Sequence, residues 1–239
     1  MPDDRLPTPE RALVVAAHPD DAEFGAGGTV ARWVDEGTEV RYLIATRGDK
    51  GSDDPNVDVG ELIARRESEQ RAAAGQVGVE TVDFLDEPDG QVEPTLKLRE
   101  RITRAIRAFR PEIVLTHDPT VLFVNNEWVN HPDHRAVGQA AVDAAFPTAR
   151  DPLNFREHLD EGLGPWKVAE LFLWSTNEAN QLVDISATLD RKIAALERHT
   201  SQFRSFDEIE RWVRRRSEEL GERAGYRAAE GFRRVTLAR

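Results

Sequence analysis

The chain of 239 residues carries 44 acidic against 32 basic side chains, a formal net charge of −12, and no cysteine. That charge argues against a nucleic-acid partner, whose backbone demands a basic stripe; the missing thiols exclude disulfides and leave His and carboxylate as donors for any transition metal. No apolar run approaches membrane-spanning length and residues 1–7 lack a leader-like apolar stretch, which predicts a cytoplasmic protein, and the length suits one α/β domain over 1–239.

Short β-branched runs alternate with longer amphipathic ones, the pattern of βαβ units in a mostly parallel sheet flanked by helices. Residues 13–17 form the first strand, which ends in His18-Pro19-Asp20-Asp21. A buried strand that delivers an imidazole and two carboxylates at its C-terminal end is costly unless those groups are paired or hold a metal. A helix over 25–36 follows, opened by Gly25-Ala26-Gly27-Gly28 and capped by Gly37. The glycine run fails the dinucleotide spacing Gly-x-Gly-x-x-Gly and reads as close helix–strand packing. Strand 39–45 leads into a loop too rich in Gly and Asp for a plain connector, and residues 48–60 are expected to form a mobile rim.

Helix 59–76, strand 81–85, a turn around Pro88-Asp89-Gly90 and helix 96–109 come next, then strand 112–116 ending in His117-Asp118-Pro119. Ligands of open α/β sheets lie beyond the C-terminal ends of strands, so His18, Thr46 and His117 should surround one cavity. His117 itself reads as a satisfied buried histidine or a hydrogen-bond partner of that site. A helix over 134–146, strands at 169–175 and 182–185, and helices over 186–200 and 206–221 complete the chain. The arginines at 211 and 214–216 are expected on a solvated or subunit-contacting face. His158 and His199 lack ligand-type neighbours in sequence and read as ordinary residues.

A second polar cluster, Asn130-His131-Pro132-Asp133-His134, answers the first. Pro132 belongs in a first helical turn, which puts His131 just before a helix and His134 inside it, with both imidazoles on one side. His18, Asp21 and His134 together supply the two-His, one-carboxylate set of a catalytic metal with a position open for water. Zinc is the expected ion, and ferrous iron suits the same donors. Asp20, left free beside them, is the expected general base, and His131, as an imidazolium, the group that stabilises an oxyanion and protonates a leaving amine. Asp133 reads as a helix-start acid or a partner for a ligand histidine.

The two motifs, in a chain of this length and strand order, resemble the PIG-L (LmbE-like) superfamily of zinc-dependent N-acetylsugar deacetylases. The resemblance takes in Thr46-Arg47-Gly48-Asp49, Arg66-Glu67-Ser68-Glu69, Pro88-Asp89-Gly90, the stretch from Arg110-Pro111 to Asp118-Pro119, and the run from Lys192 to Gln202, so it spans roughly residues 12–202. Residues 203–239 are left as a C-terminal helical region. The resemblance implies a Rossmann-like fold and hydrolysis of the acetamide of an N-acetylglucosamine-type sugar or glycoconjugate, a small-molecule substrate. In it His18, Asp21 and His134 match the metal ligands, Asp20 the base, His131 the residue that stabilises the transition state, and Arg66 and Asp89 the substrate contacts. A homo-oligomer, trimer or hexamer, is implied as well.

Two positions depart from the family pattern. Ala22 stands where many members have Glu, and Val129 where some have a tyrosine that polarises the carbonyl. Oxyanion stabilisation is then left to the metal and His131, with Asn130 or Trp128 as helpers. Two other readings stand beside this one: a metal-dependent hydrolase of another amide or ester, and a sugar-binding module without turnover.

Overall fold

Unbroken apolar runs make strands that need cover on both faces, and the centre of this protein is built from them. The computed structural model describes residues 8–238. In chain order it runs β1 (Arg11–Ala16), α1 (Asp21–Asp35), β2 (Glu39–Thr46), α2 (Val59–Val77), β3 (Thr81–Glu87), α3 (Leu96–Phe109) and β4 (Ile113–His117). A short hairpin follows, β5 (Phe123–Val124) and β6 (Trp128–Val129), then α4 (Pro132–Asp143), α5 (Glu157–Asp160), β7 (Glu170–Trp174), β8 (Gln181–Asp184), α6 (Leu189–Leu196), α7 (Phe206–Glu222) and β9 (Ala229–Thr236). No helix among the described residues is long and apolar enough to cross a membrane.

Seven strands form one sheet in the order β3-β2-β1-β4-β7-β9-β8. The first five are parallel, whereas β9 runs antiparallel to both of its neighbours. Alternation along β1 sends Val14 and Ala16 into one apolar layer with Trp33 of α1 and Val77 of α2, and Leu13 and Val15 into the other with Ile102 of α3 and Val137 of α4. Since β1 pairs in register with β4, Val15 opposite Thr116, the loops that follow the two strands emerge side by side. That juxtaposition brings the two polar motifs together.

Several elements differ from expectation, each for a local reason. Helix α1 begins at Asp21, four residues early, because Asp20 takes a left-handed backbone, φ 100°, and turns the chain straight into the helix. The glycine run therefore lies inside α1, where a Cβ on Gly25 would stand 2.5 Å from the Trp174 ring and one on Gly28 2.8 Å from Ile185. Helix α4 starts at Pro132 and stops at Asp143, and the backbone is extended at Phe146 before Pro147. Helix α6 is shorter than the expected 186–200.

The region 203–239, expected to be helical, holds α7 and then the strand β9. Arg233 and Arg234 in the middle of β9 mask its strand pattern. In the sheet Arg234 lies 2.6 Å from Glu170 and Arg233 lies 3.3 Å from Glu178, so both charges are paired. The hairpin β5–β6 and the single turn α5 were not expected either, since neither has enough residues to show a period.

Candidate active site

The turn after β1 is held from behind by α2. Arg66 donates from one guanidinium nitrogen to the Pro19 carbonyl (2.7 Å) and from another to the Gly48 carbonyl (3.2 Å), and the Asp20 amide donates to Oε1 of Gln70 (2.8 Å). Those contacts fix the backbone of His18 to Asp21 while the His18 and Asp21 side chains face β4 and α4, and the Asp20 carboxylate lies 3.5 Å from the Arg66 guanidinium. Asp21 sits at the centre. Its Oδ2 accepts from the His18 amide (2.8 Å) and lies 3.3 Å from His18 Nδ1 and 3.4 Å from His117 Nε2, while its Oδ1 lies 3.1 Å from His134 Nε2. On the other side of the His18 ring, Nε2 lies 3.1 Å from Asp133 and 3.2 Å from Asp89.

His131 and His134 come from the start of α4 as the proline predicts. His131 is the N-cap, its Nδ1 accepting from the Asp133 amide (3.2 Å), and its ring meets His18 edge-on at 4.8 Å. Donor atoms of three overlapping triads lie within 4.8 Å of one another: His18, His131 and His134; Asp21, His117 and His134; His18, Asp89 and Asp133. The expected set of His18, Asp21 and His134 straddles the first two.

The donor chemistry fits a divalent ion. Imidazole and carboxylate atoms around Asp21 stand 3.1–3.4 Å apart, and four donors on a tetrahedral ion with bonds of about 2.0–2.1 Å would be about 3.3–3.4 Å apart. Asp133 also accepts from the Gly90 and Val92 amides, which orients the carboxylate that faces His18, the usual support for a ligand imidazole.

Electrostatics set the carboxylates against one another. Burial, reinforced by the adjacent Asp21 charge, pushes Asp20 up to about 6, even with Arg66, His199 and His18 pulling it down. Burial also opposes the charge on Asp21, but His134 and His117 outweigh it and hold that carboxylate well below its ordinary range. For Asp89, burial is overcome by the hydrogen bonds from His18 and the Lys50 amide, which leave it at about 2. His131 moves the other way from the expected imidazolium: partial burial and the charges of His18 and His134 lower its pKa, favouring the neutral ring. With Nδ1 used as an acceptor, the neutral ring carries its proton on Nε2.

His117 is 1% exposed and stacks on His134 at 4.1 Å. Its Nδ1 accepts from the Trp174 indole (3.0 Å), a group that can only donate, so the neutral ring holds its proton on Nε2, facing Asp21. The Ala17 amide, 3.2 Å from the same nitrogen, competes with a charge-assisted bond that is stronger. Burial, then the neighbouring His134, pushes this histidine down to about 4 and keeps it neutral.

Other expected positions fall less directly on the site. Arg66 and Asp89 are 4% and 6% exposed, with Arg66 committed to backbone carbonyls and Asp89 to His18 and the Lys50 amide. Thr46 is wholly buried, accepts from the Gly48 amide and is not among the residues that line the cleft on Asp21, His117 and His134. Asn130 is also buried, its side-chain amide spent on the Val121 carbonyl, which removes it as an oxyanion donor. The rim after Thr46 is fastened at Gly51, whose carbonyl accepts from Gln202, and at Lys50, whose amide donates to Asp89.

His199 is the residue that sequence reasoning missed. Fully buried, it lies 3.3 Å from Glu23, which accepts from Gln70, which in turn holds the Asp20 amide. The only signal was its place in the run from Lys192 to Gln202. A cleft of about 800 Å³ opens on Asp21, His117 and His134, walled by Trp128, Trp174 and Trp212.

Comparison with known proteins agrees with this geometry. Residues 13–145 match the PIG-L family, described as GlcNAc-PI de-N-acetylase. The chain is 34% identical to the diacetylchitobiose deacetylase of Thermococcus kodakarensis, over 94% of this chain and 82% of that one. It is 31% identical to the 1D-myo-inositol 2-acetamido-2-deoxy-alpha-D-glucopyranoside deacetylase of Kineococcus radiotolerans, over 71% of this chain and 53% of that one. The crystal structure of N,N′-diacetylchitobiose deacetylase from Pyrococcus horikoshii superimposes with a TM-score of 0.88 at 30% identity, covering 95% of this chain and 84% of that one. A 4-carboxy-2-hydroxymuconate hydratase from Pseudomonas putida shares the fold alone, with a TM-score of 0.77 at 21% identity over 96% of this chain and 98% of that one.

Proposed function

The chain belongs to the PIG-L family, the GlcNAc-PI de-N-acetylases, and from that membership we propose that it is a metal-dependent deacetylase that hydrolyses the acetamide of a small N-acetylglucosamine-type sugar, with zinc as the ion and ferrous iron as the alternative. The observation that carries this reading is that His18 and His134 both meet the Asp21 carboxylate, at 3.3 and 3.1 Å, beside a cleft that opens on Asp21 and His134, with Asp20 next in the chain and outside the donor triads. A divalent ion held by His18, Asp21 and His134 would supply a Lewis acid for the amide carbonyl and lower the pKa of an attacking water.

The protein's own groups do the rest. Asp20, with its pKa near 6, is ionised at neutral pH and basic enough to accept a proton from the attacking water. His131, neutral and protonated at Nε2, donates a hydrogen bond to the oxyanion that develops as the carbonyl carbon becomes tetrahedral. Asp20 then returns its proton to the departing amine nitrogen, so acetate and a free amino sugar leave and the carboxylate is regenerated. Asp133 and Asp89 hold His18, and His117 holds Asp21, so the donors are oriented before any ion arrives.

Metal content and acetate release from N,N′-diacetylchitobiose test the assignment together. Asp20→Ala should keep the metal and lose about 10²–10⁴-fold in turnover, whereas His134→Ala should lose the metal itself. Full activity with equal metal content in both variants would refute it.

A further inference from the structure

Asp20 is the N-cap of α1, a position where an aspartate ordinarily has an extended backbone and spends its carboxylate on the amides of the first turn. Here it does neither. Its side chain makes no cap bond, and its backbone is left-handed, φ 100° and ψ −27°, a conformation that a residue with a Cβ keeps only where its surroundings impose it. The two facts belong together. An extended backbone would let the carboxylate fold back onto its own helix, and the left-handed turn withdraws it.

The turn is held through the peptide unit between Pro19 and Asp20, which α2 grips on both sides. Arg66 donates to its carbonyl at 2.7 Å, and Gln70, one turn further along α2, accepts from its amide at 2.8 Å. A glutamine can present either its oxygen or its NH₂, and only the oxygen can accept. Glu23 decides which. Its Oε1 accepts from Gln70 Nε2 at 2.9 Å, which leaves the Gln70 oxygen for Asp20. The other oxygen of Glu23 lies 3.3 Å from Nε2 of His199, and both of these residues are fully buried. Burial opposes the charge on His199, but the hydrogen bond and charge of Glu23 outweigh it and raise the pKa, so the ring stands as a donor toward Glu23. Gln70, Glu23 and His199 neither line the cleft nor belong to a donor triad. A buried carboxylate and imidazole cost desolvation that apolar side chains of similar size would avoid, which calls for a role beyond packing.

We propose that His199, Glu23 and Gln70 are positioning residues for Asp20. Their hydrogen bonds run in one direction, from His199 to Glu23 and from Gln70 to Glu23, and so turn one fixed acceptor toward the Asp20 amide. That acceptor holds the left-handed turn and keeps the carboxylate off the helix end. That the freed carboxylate then meets the attacking water rests on the deacetylase reading.

Kinetics of acetate release from N,N′-diacetylchitobiose, together with hydrogen exchange at the Asp20 amide followed by NMR on the zinc-loaded protein, test the proposal. Gln70→Leu removes the acceptor at similar volume. It should lower kcat about 10–100-fold with KM and zinc content within about twofold of wild type, and the Asp20 amide should exchange about tenfold faster or more. His199→Leu should lose about tenfold in kcat, and His199→Gln, which still offers Glu23 an N–H, should recover most of that loss. Gln70→Glu sets two carboxylates against each other and should lose as much as Gln70→Leu. Adding Glu23→Gln to it restores a donor facing an acceptor at each link and should recover most of kcat and of the amide protection. Unchanged kcat and exchange in Gln70→Leu, a loss confined to KM or zinc content, or a double variant no better than Gln70→Glu would overturn the proposal. The two readings separate cleanly. A wild-type protein that releases no acetate, with fast Asp20 exchange in Gln70→Leu and its recovery in the double variant, removes the chemistry and keeps the hold on the turn; acetate release with kcat and exchange untouched by Gln70→Leu does the reverse.

Discussion

Alanine at Gly25 and alanine at Gly75 are the same change in two helices, yet the structure predicts opposite signs. Both replacements gain helix propensity of about 0.5–1 kcal/mol. At Gly75, exposed in α2, a Cβ meets nothing within 4 Å, so that gain is the whole effect. At Gly25 in α1 the new Cβ would fall 2.5–2.7 Å from three ring atoms of Trp174, itself 3% exposed and bonded to His117. A buried indole tied to His117 cannot yield without breaking that hydrogen bond, and overpacking of this kind costs about 1–3 kcal/mol. The difference between the two variants isolates that packing cost because propensity cancels. Thermal unfolding should therefore place Gly25→Ala about 2–12 °C below Gly75→Ala, at about 2–4 °C per kcal/mol for a chain of this size. Displacing Trp174 also releases His117 from its fixed tautomer, so Gly25→Ala should bind zinc more weakly as well. Equal melting temperatures with equal zinc affinity would show that α1 does not approach β7 this closely.

Two further outcomes follow from the same contacts. His117→Phe removes the Nε2 proton that faces Asp21 and should weaken zinc binding by about 10–100-fold, read by competition with a chelator; an unchanged dissociation constant would deny His117 any hold on that carboxylate. At His199 burial opposes the charge, but the hydrogen bond and charge of Glu23 outweigh it and raise the pKa above 6.5. The stability supplied by this pair is therefore fully present below pH 6.5 and is lost as pH rises through the raised value. The melting-temperature gap between wild type and His199→Gln should narrow on the alkaline side; a gap that widens there would reverse the assigned sign.

Much of the candidate metal site is legible in one dimension because its members come in two short motifs, each at an element boundary that the local residues announce. The apolar run of β1 ends where His18 begins, and Pro132 sets the opening of α4 between His131 and His134. Such signals are statements about neighbours in sequence, and α3 and β2 were readable for the same reason. Asp20 was placed beside the donors, but its pKa near 6 depends on burial that no local pattern reports.

The rest needed the sheet. His199 and Glu23 are 176 residues apart and meet only because α6 packs across α1 and α2. Strand β9 is hidden by two arginines whose carboxylate partners lie on β7 and in the loop after it, and it becomes a strand only when those edges are present. Trp128, Trp174 and Trp212 stand on a hairpin, a strand and a helix, and nothing in their spacing predicts a common cleft. Local residue choice determined which segments form strands and helices and which side chains stand at their ends. Strand order decided which ends meet, because a parallel sheet closes contacts between segments whose intervening chain carries no information about the distance between them.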